Sequence, residues 1–299
     1  MHVVIAGEDR PAQQVAAALA NKDRLSGWYT DQHEQPRVRT LAQNAKAEIF
    51  QTSALKDPDH QLVEGDWFLT VNSTSIIPST VIEAFGGCAL NLHNGPLPEY
   101  AGRHVTQWGI RNGETQFAST IHYLEDGIDT GDIVAESWFD IAPEDTGLSL
   151  FNRSFRVGTE LMLSVIESIA SGDIPDRRKQ DLSKRRLYRH KDALDPRIDW
   201  RWCGREIVNF VRAGNYAPLT SPSYTAAISV DNRSTEILKA ELSSASGIPG
   251  QILEIGPEGL VVGCAGGAVK LLDIRHEGKV INPTTAFVAG TCLSGRDDE

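Results

Sequence analysis

Short apolar runs alternate with stretches of helical period through the first half of the chain. Val3-Val4-Ile5-Ala6 reads as a buried strand, Gly7 permits a turn, and Pro11 opens an alanine-rich helix ending near Ala20. The unit then recurs. Ser26 to Thr30 is apolar, Val38 to Lys46 has helical spacing, and Glu48-Ile49-Phe50 reads as a strand. Asp66 to Val71 is another strand, Pro78 starts a helix over Ser79 to Phe85, and Cys88 to His93 is the next strand. Such alternation predicts a parallel sheet covered by helices on both faces. Ligands of these sheets bind beyond the carboxyl ends of the strands, and Asn91 and His93 lie at one such end.

Farther on, His104 to Ile110 reads as a helix, with Asn112-Gly113-Glu114 as its stop, and Phe117 to Leu124 and Ile133 to Phe139 read as strands. Asp145 or Thr146 can cap a long amphipathic helix to about Ser171. Between Pro175 and Pro196 basic side chains outnumber acidic ones, and the segment reads as a basic linker. It is either a solvated connection or a clamp for acceptor phosphates, with Tyr188 placed to stack on a base. Asp199 to Arg212 is helical in pattern. Beyond Pro218 come short strands: Tyr224 to Val230, Glu236 to Ala240, Gly250 to Ile255, Gly259 to Cys264, Val269 to Ile274 and Ala286 to Gly290, which suggest a small barrel. The domains expected are residues 1–174, a linker at 175–200, and residues 201–299.

Composition narrows the picture. A chain of 299 residues, 40% hydrophobic and 23% charged, is ordinary for a soluble protein of two domains. No apolar run approaches the ~20 residues that span a bilayer, and the opening residues lack a cationic leader, so the chain reads as cytoplasmic and without membrane partners. The net charge of −11 opposes broad attraction to nucleic acid. Cys88, Cys203, Cys264 and Cys292 show no paired spacing and read as small buried hydrophobes.

The chemistry concentrates in two stretches, Asn91-Leu92-His93-Asn94-Gly95-Pro96-Leu97-Pro98 and Asp126-Gly127-Ile128-Asp129-Thr130-Gly131-Asp132. Side chains alternate along a strand, so Asn91 and His93 share a face. Alone, each reads as a hydrogen-bonded core residue, but a strand end followed by a proline-stiffened loop favours a site. Nucleophile-elbow, phosphate-loop and dinucleotide patterns are missing, and Asp126, Asp129 and Asp132 lack calcium-loop spacing, so no metal is expected. What remains is acyl transfer without a covalent intermediate. Asn91 offers an amide donor to an oxyanion, His93 a donor that strengthens when protonated, and Asp129 a negative charge that could hold His93 in that state or a proton route through water.

Asn91-Leu92-His93, Pro96-Leu97-Pro98, Tyr100-Ala101-Gly102-Arg103, Trp108, Asn112-Gly113-Glu114 and Gly127 to Ile133 together resemble the catalytic region of the 10-formyltetrahydrofolate-dependent formyltransferases. A weaker likeness over Arg197 to Trp200, Phe210 to Ala213 and Pro249 to Lys279 is similar to the small barrel of the methionyl-tRNA and amino-sugar enzymes. The resemblance implies an α/β fold, a Rossmann-like parallel-sheet catalytic domain followed by a small OB-like β-barrel. It also implies Asn91, His93 and Asp129 as catalytic residues and 10-formyltetrahydrofolate as co-substrate. The folate would lie against Val71, Ser75, Ile76, Ile77, Leu124, Asp126 and Ile128, where the stretch Asn72, Ser73, Thr74 and Ser75 is short and uncharged.

The departures concern the acceptor. Asn94-Gly95-Pro96 and the loop Tyr100 to His104 differ from the tRNA enzymes, and acidic side chains slightly outnumber basic ones over residues 200–299. The expected acceptor is the primary amine of a small or carrier-linked metabolite, such as a nucleotide-linked amino sugar or a siderophore or peptide-synthetase amino acid. Asn94, Gly95, Arg103, His104 and Gln107 are its candidate contacts. Methionyl-tRNA formylation is the second reading, and a folate- or nucleotide-binding module without catalysis is the third. A homodimer is allowed but not read from the chain.

Overall fold

The structure, a computed structural model, describes residues 1–73, 75–230 and 233–294. Thr74, noted above among the short polar residues, lies outside the described residues. The chain forms two compact units, and neither is one continuous stretch. The first comprises Met1–Gly102, Ala118–Phe139 and Arg153–Leu187, and the second Arg103–Phe117, Asp140–Asn152 and the chain from Tyr188 onward.

In chain order the elements begin β1 (Val3–Gly7), α1 (Asp9–Ala20), β2 (Leu25–Tyr29), α2 (Pro36–Ala45), β3 (Glu48–Phe50), β4 (Trp67–Val71), α3 (Ser79–Ala84) and β5 (Ala89–His93). There follow β6 (Ala101–Gly102), α4 (Val105–Arg111), β7 (Gln116–Tyr123), β8 (Ile133–Asp140) and α5 (Gly147–Ala170). The main sheet has seven strands in the order β3-β2-β1-β4-β5-β7-β8. From β3 through β5 the pairs are parallel. β7 joins β5 antiparallel, which strand–helix alternation does not reveal, because α4 between them belongs to the other unit.

Burial explains the alternation. β1 and β4 are buried throughout, as central strands covered on both faces must be. Val3, Ile5, Leu69, Val71, Leu90 and Leu92 pack with residues of α1 and α5, whereas Val4, Ala6, Phe68 and Ala89 pack with Val81 and Phe85. Period two therefore puts Asn91 and His93 on the face opposite Leu90 and Leu92. Thr146 caps α5, its hydroxyl accepting from the Ser149 N–H at 3.2 Å.

The second unit adds β9 (Leu187–Tyr188), α6 (Gly204–Gly214), β10 (Ala227–Val230), β11 (Arg233–Ser243), β12 (Ile252–Gly256), β13 (Gly259–Cys264), β14 (Gly267–His276), β15 (Lys279–Val280) and α7 (Pro283–Ala286). Its antiparallel sheet runs β10-β11-β14-β13-β12, with β15 on β14. This is the small C-terminal β domain expected from the strand pattern. Ile207, Phe210 and Val211 of α6 share its core with Ile237, Leu260, Val262, Val269 and Leu271.

Three expectations need correction here. α6 begins at Gly204 rather than Asp199, because the Asp199 carboxylate is taken by the Arg201 backbone and guanidinium, and Glu206 reaches back to the Cys203 N–H. The run from Ala286 to Gly290 is not a strand. Asn282 accepts from the Thr284 N–H and starts the short α7 instead. Cys203 and Cys292 are exposed rather than buried. Among the described residues no helix is long and apolar enough to cross a membrane.

Candidate active site

Three neighbouring strands of the first unit line up Thr70, Asn91 and His122. The parallel register sets Thr70 beside Asn91, and the antiparallel one sets Asn91 opposite His122. The Thr70 hydroxyl donates to Asn91 Oδ1 at 2.6 Å, and Asn91 Nδ2 lies 3.0 Å from His122 Nε2. His122 Nδ1 is 2.8 Å from the Tyr123 carbonyl. A carbonyl only accepts, so Nδ1 carries the hydrogen.

The same logic applies to His93. Its Nε2 donates to the Tyr100 carbonyl at 2.6 Å, which leaves Nδ1 as the ring nitrogen facing Asp129, 3.6 Å from Oδ2. Proton exchange at His93 is therefore a matter for Nδ1.

Asp129 sits in the turn before β8 with a left-handed φ of 54°. Its Oδ2 accepts from the Gly102 N–H at 2.7 Å, and its Oδ1 lies 3.5 Å from His122 Nε2. Burial alone pushes a carboxyl up, but His93, His122 and the Gly102 N–H outweigh it and hold Asp129 well below the usual carboxylate range. The turn is fixed from outside. Gln180 donates to the Asp129 and Gly131 carbonyls at 3.0 and 2.6 Å, and Arg185 donates to the Ile128 carbonyl at 2.6 Å. Gly131 is obligatory, because a Cβ there would stand 1.9 Å from the Tyr123 carbonyl oxygen. The basic segment thus has definite contacts through Leu187. Arg178 exchanges backbone hydrogen bonds with Ile133, and the Arg177 guanidinium lies 3.6 Å above the Tyr123 ring.

Around this trio the first unit places the remaining candidates. Asn94 has a buried Oδ1 without a hydrogen-bond partner among the described residues, and the Gly95 carbonyl accepts from Thr120 at 2.8 Å. Val71 is buried, while Ile77 and Leu124 pack against the core. The Ser75 N–H donates to Ser73, and the Asp126 carbonyl accepts from Thr130. Ile76 and Ile128 are 73% and 46% exposed, unusual for isoleucines.

Arg103, His104 and Gln107 belong to the second unit. Gln107 is buried with its amide occupied: it donates to the Ala213 carbonyl and to Ser221, and accepts from Ser223. His104 is 2.7 Å from His190, and burial, with His190 and Arg103 adding to it, depresses its pKa to about 4. Tyr188 is stacked on Trp108 and receives a hydrogen bond from Asn112, so that ring face is already covered. Among the described residues, no three His, Cys, Asp or Glu are grouped to hold a metal.

Thr70, His122, Gln180 and Arg185 contact the candidate residues and were not among those the sequence pointed to. Thr120 and His122 were visible as polar positions on one face of an apolar strand. Their pairing with Asn91 depends on register, which alternation does not supply.

Residues 4–166 match the sequence profile of the formyl transferase family, and residues 192–291 match that of the formyl transferase C-terminal domain. The chain belongs to the formyl transferase family. This formyltransferase is 27% identical over 282 residues to the methionyl-tRNA formyltransferase of Geobacter sulfurreducens, covering 93% of the chain and 86% of the relative. It is 28% identical over 294 residues to that of Pseudomonas entomophila, covering 93% and 92%. Its fold is similar to that of an N-formyltransferase from Helicobacter canadensis, solved with folinic acid and dTDP-3-aminofucose. The TM-score is 0.70 at 20% identity, over 91% of this chain and 99% of that one. A 4-N formyltransferase from Francisella tularensis matches at TM-score 0.63 and 16% identity, over 75% and 92%.

Proposed function

We propose that this formyltransferase moves a formyl group from 10-formyltetrahydrofolate to the primary amine of a small or carrier-linked metabolite in the cytoplasm. The observation that carries the reading is the convergence of Asn91, His93 and Asp129, linked through His122, at the end of β5 and the β7–β8 turn. Asn91 keeps one side-chain N–H beyond the one directed at His122, which suits a carbonyl oxygen gaining negative charge. His93 Nδ1 takes the proton that the amine must lose when its nitrogen bonds to the formyl carbon, with the Asp129 carboxylate beside the ring, and a proton returns to the folate nitrogen as its bond to that carbon breaks.

The uncovered Ile76 and Ile128 fit a flat aromatic donor with an apolar face. When bound, the folate supplies the activated formyl group. The buried, unpartnered Asn94 Oδ1 suits an acceptor amine, since buried polar atoms are nearly always paired. The folinic acid and dTDP-amino sugar seen with the Helicobacter canadensis enzyme point the same way.

The curated relatives favour a second reading, formylation of methionyl-tRNA. The net charge of −11 opposes it. One experiment separates the two. The enzyme and 10-formyltetrahydrofolate are incubated with dTDP-3-aminofucose, hydroxyornithine, a carrier-bound amino acid and methionyl-tRNA, and products are read by mass spectrometry. A gain of one formyl group on a small amine is expected. Formylation of tRNA alone, with steep loss of binding as salt rises, would establish the second reading. Tight folate binding with no product on any amine would mark a binding module.

A further inference from the structure

We propose that Thr70 and His122 are positioning residues that lock the Asn91 side-chain amide in one orientation, leaving one N–H of Nδ2 for the substrate. The proposal rests on the reading of Asn91 as a donor to the transferred carbonyl. Its basis is separate, because it concerns what holds the amide rather than what the amide does.

An asparagine amide has two ends of similar size and opposite hydrogen-bonding sense, so a buried one faces the site correctly only if both ends are specified. Here they are. At the oxygen end, the Thr70 hydroxyl lies 2.6 Å from Oδ1, and Thr70 is buried in the centre of the sheet. At the nitrogen end, the Tyr123 carbonyl keeps a hydrogen on His122 Nδ1, and a ring carrying only that hydrogen presents a lone pair at Nε2, 3.0 Å from Asn91 Nδ2. Asp129 Oδ1 is farther from that nitrogen, at 3.5 Å, beyond a good N–H···O distance. A flipped amide would set its oxygen against the Nε2 lone pair. His122 is itself 1% exposed and carried by a central strand, so its ring cannot swing away to relieve the contact.

The chemistry separates this role from simple packing. Thr70→Ser keeps the hydroxyl and Thr70→Val removes it at nearly constant volume. His122→Gln can place an acceptor oxygen where Nε2 stands, whereas His122→Asn keeps only the nearer polar position. Thr70→Val and His122→Asn are expected to lower kcat at least about 10-fold, short of the ~100- to 1000-fold typical when an oxyanion donor is removed. KM for 10-formyltetrahydrofolate stays within about 3-fold, since uniform binding is untouched. Thr70→Ser and His122→Gln recover most of kcat. Combined with Asn91→Ala, Thr70→Val does not lower kcat further, because it acts through the missing amide.

Turnover is assayed with 10-formyltetrahydrofolate against the four acceptors named above, and folding is checked by circular dichroism. Independently of any acceptor, nuclear magnetic resonance of protein labelled with nitrogen-15 should show a scalar coupling between Asn91 Nδ2 and His122 Nε2, lost in His122→Asn. Absence of that coupling in the wild type overturns the lock. So does full kcat in folded Thr70→Val and His122→Asn, or a multiplicative further loss from Thr70→Val on the Asn91→Ala background. If Asn91→Ala itself keeps full turnover while the coupling is present, the lock stands as structure and the donor role of Asn91 fails.

Discussion

At the scale of single residues, the ionisation of Asp129 ties the site to stability. A carboxyl held below its ordinary range, near 4 in an unfolded chain, stabilises the fold above that pH, and the contribution is lost as pH falls through the folded value. Asp129→Asn should therefore lower the urea midpoint at pH 7 by more than it does at pH 3, in addition to losing nearly all turnover. A gap that widens on acidification would contradict the assignment. His104 runs the same way from a different cause. Burial depresses it to about 4, so between pH 6.5 and 4 the unfolded chain binds a proton that the folded chain refuses. Stability then rises with pH through that window. His104→Asn should flatten the slope of unfolding free energy there, and the ring should titrate near pH 4 by nuclear magnetic resonance. A midpoint near 6.5 would show the side chain to be more solvated than its surroundings imply. Asn91 and His93 stood out as candidates because they are polar residues where an apolar strand ends, and Asp129 because it is a carboxylate in a glycine turn. Thr70 and Gln180 did not, because a buried threonine and a surface-type glutamine carry no such contrast.

At the scale of elements, the site depends on how tightly a turn follows a strand. Gly131 has the Tyr123 carbonyl where a side chain would go, so Gly131→Ala must displace the turn that carries Asp129. Because a misplacement of about 1 Å can cost roughly 100-fold in rate, kcat should fall by about that factor while the core stays folded. Stopped-flow turnover with thermal melting checks both halves, and a variant with unchanged kcat would show that the turn tolerates the shift. The strands β1 to β5 were readable because central parallel strands are apolar runs with clear breaks. The direction of β7 was not, since the burial of a strand's side chains does not tell which way it runs. The start of α6 and the fate of residues 286–290 were decided by side chains at Asp199, Glu206 and Asn282, which act locally and can specify either a turn or a helix.

At the scale of the whole molecule, the chain order is not the order of its compact units. Residues 103–117 and 140–152 belong with the C-terminal part, where Gln107 bonds to Ala213 and Arg212 donates to the Ala142 and Asp145 carbonyls. A fragment of residues 1–174 therefore leaves those stretches without partners. Its melting temperature should fall by roughly 10 °C or more, or it should aggregate. A soluble monomer melting like the full chain would show that the first unit stands alone. Hydrophobic pattern found the two classes of sheet but not this interleaving, because periodicity reports which face is buried and not what buries it. The contacts of Gln180 and Arg185 with the Asp129 turn also set a timetable for synthesis. A nascent chain can lay down every strand around Asn91 and still hold an unfinished site. The carboxylate turn gains its last fastenings only after Arg185 has left the ribosome, so the enzyme stays silent until well over half of its message has been read.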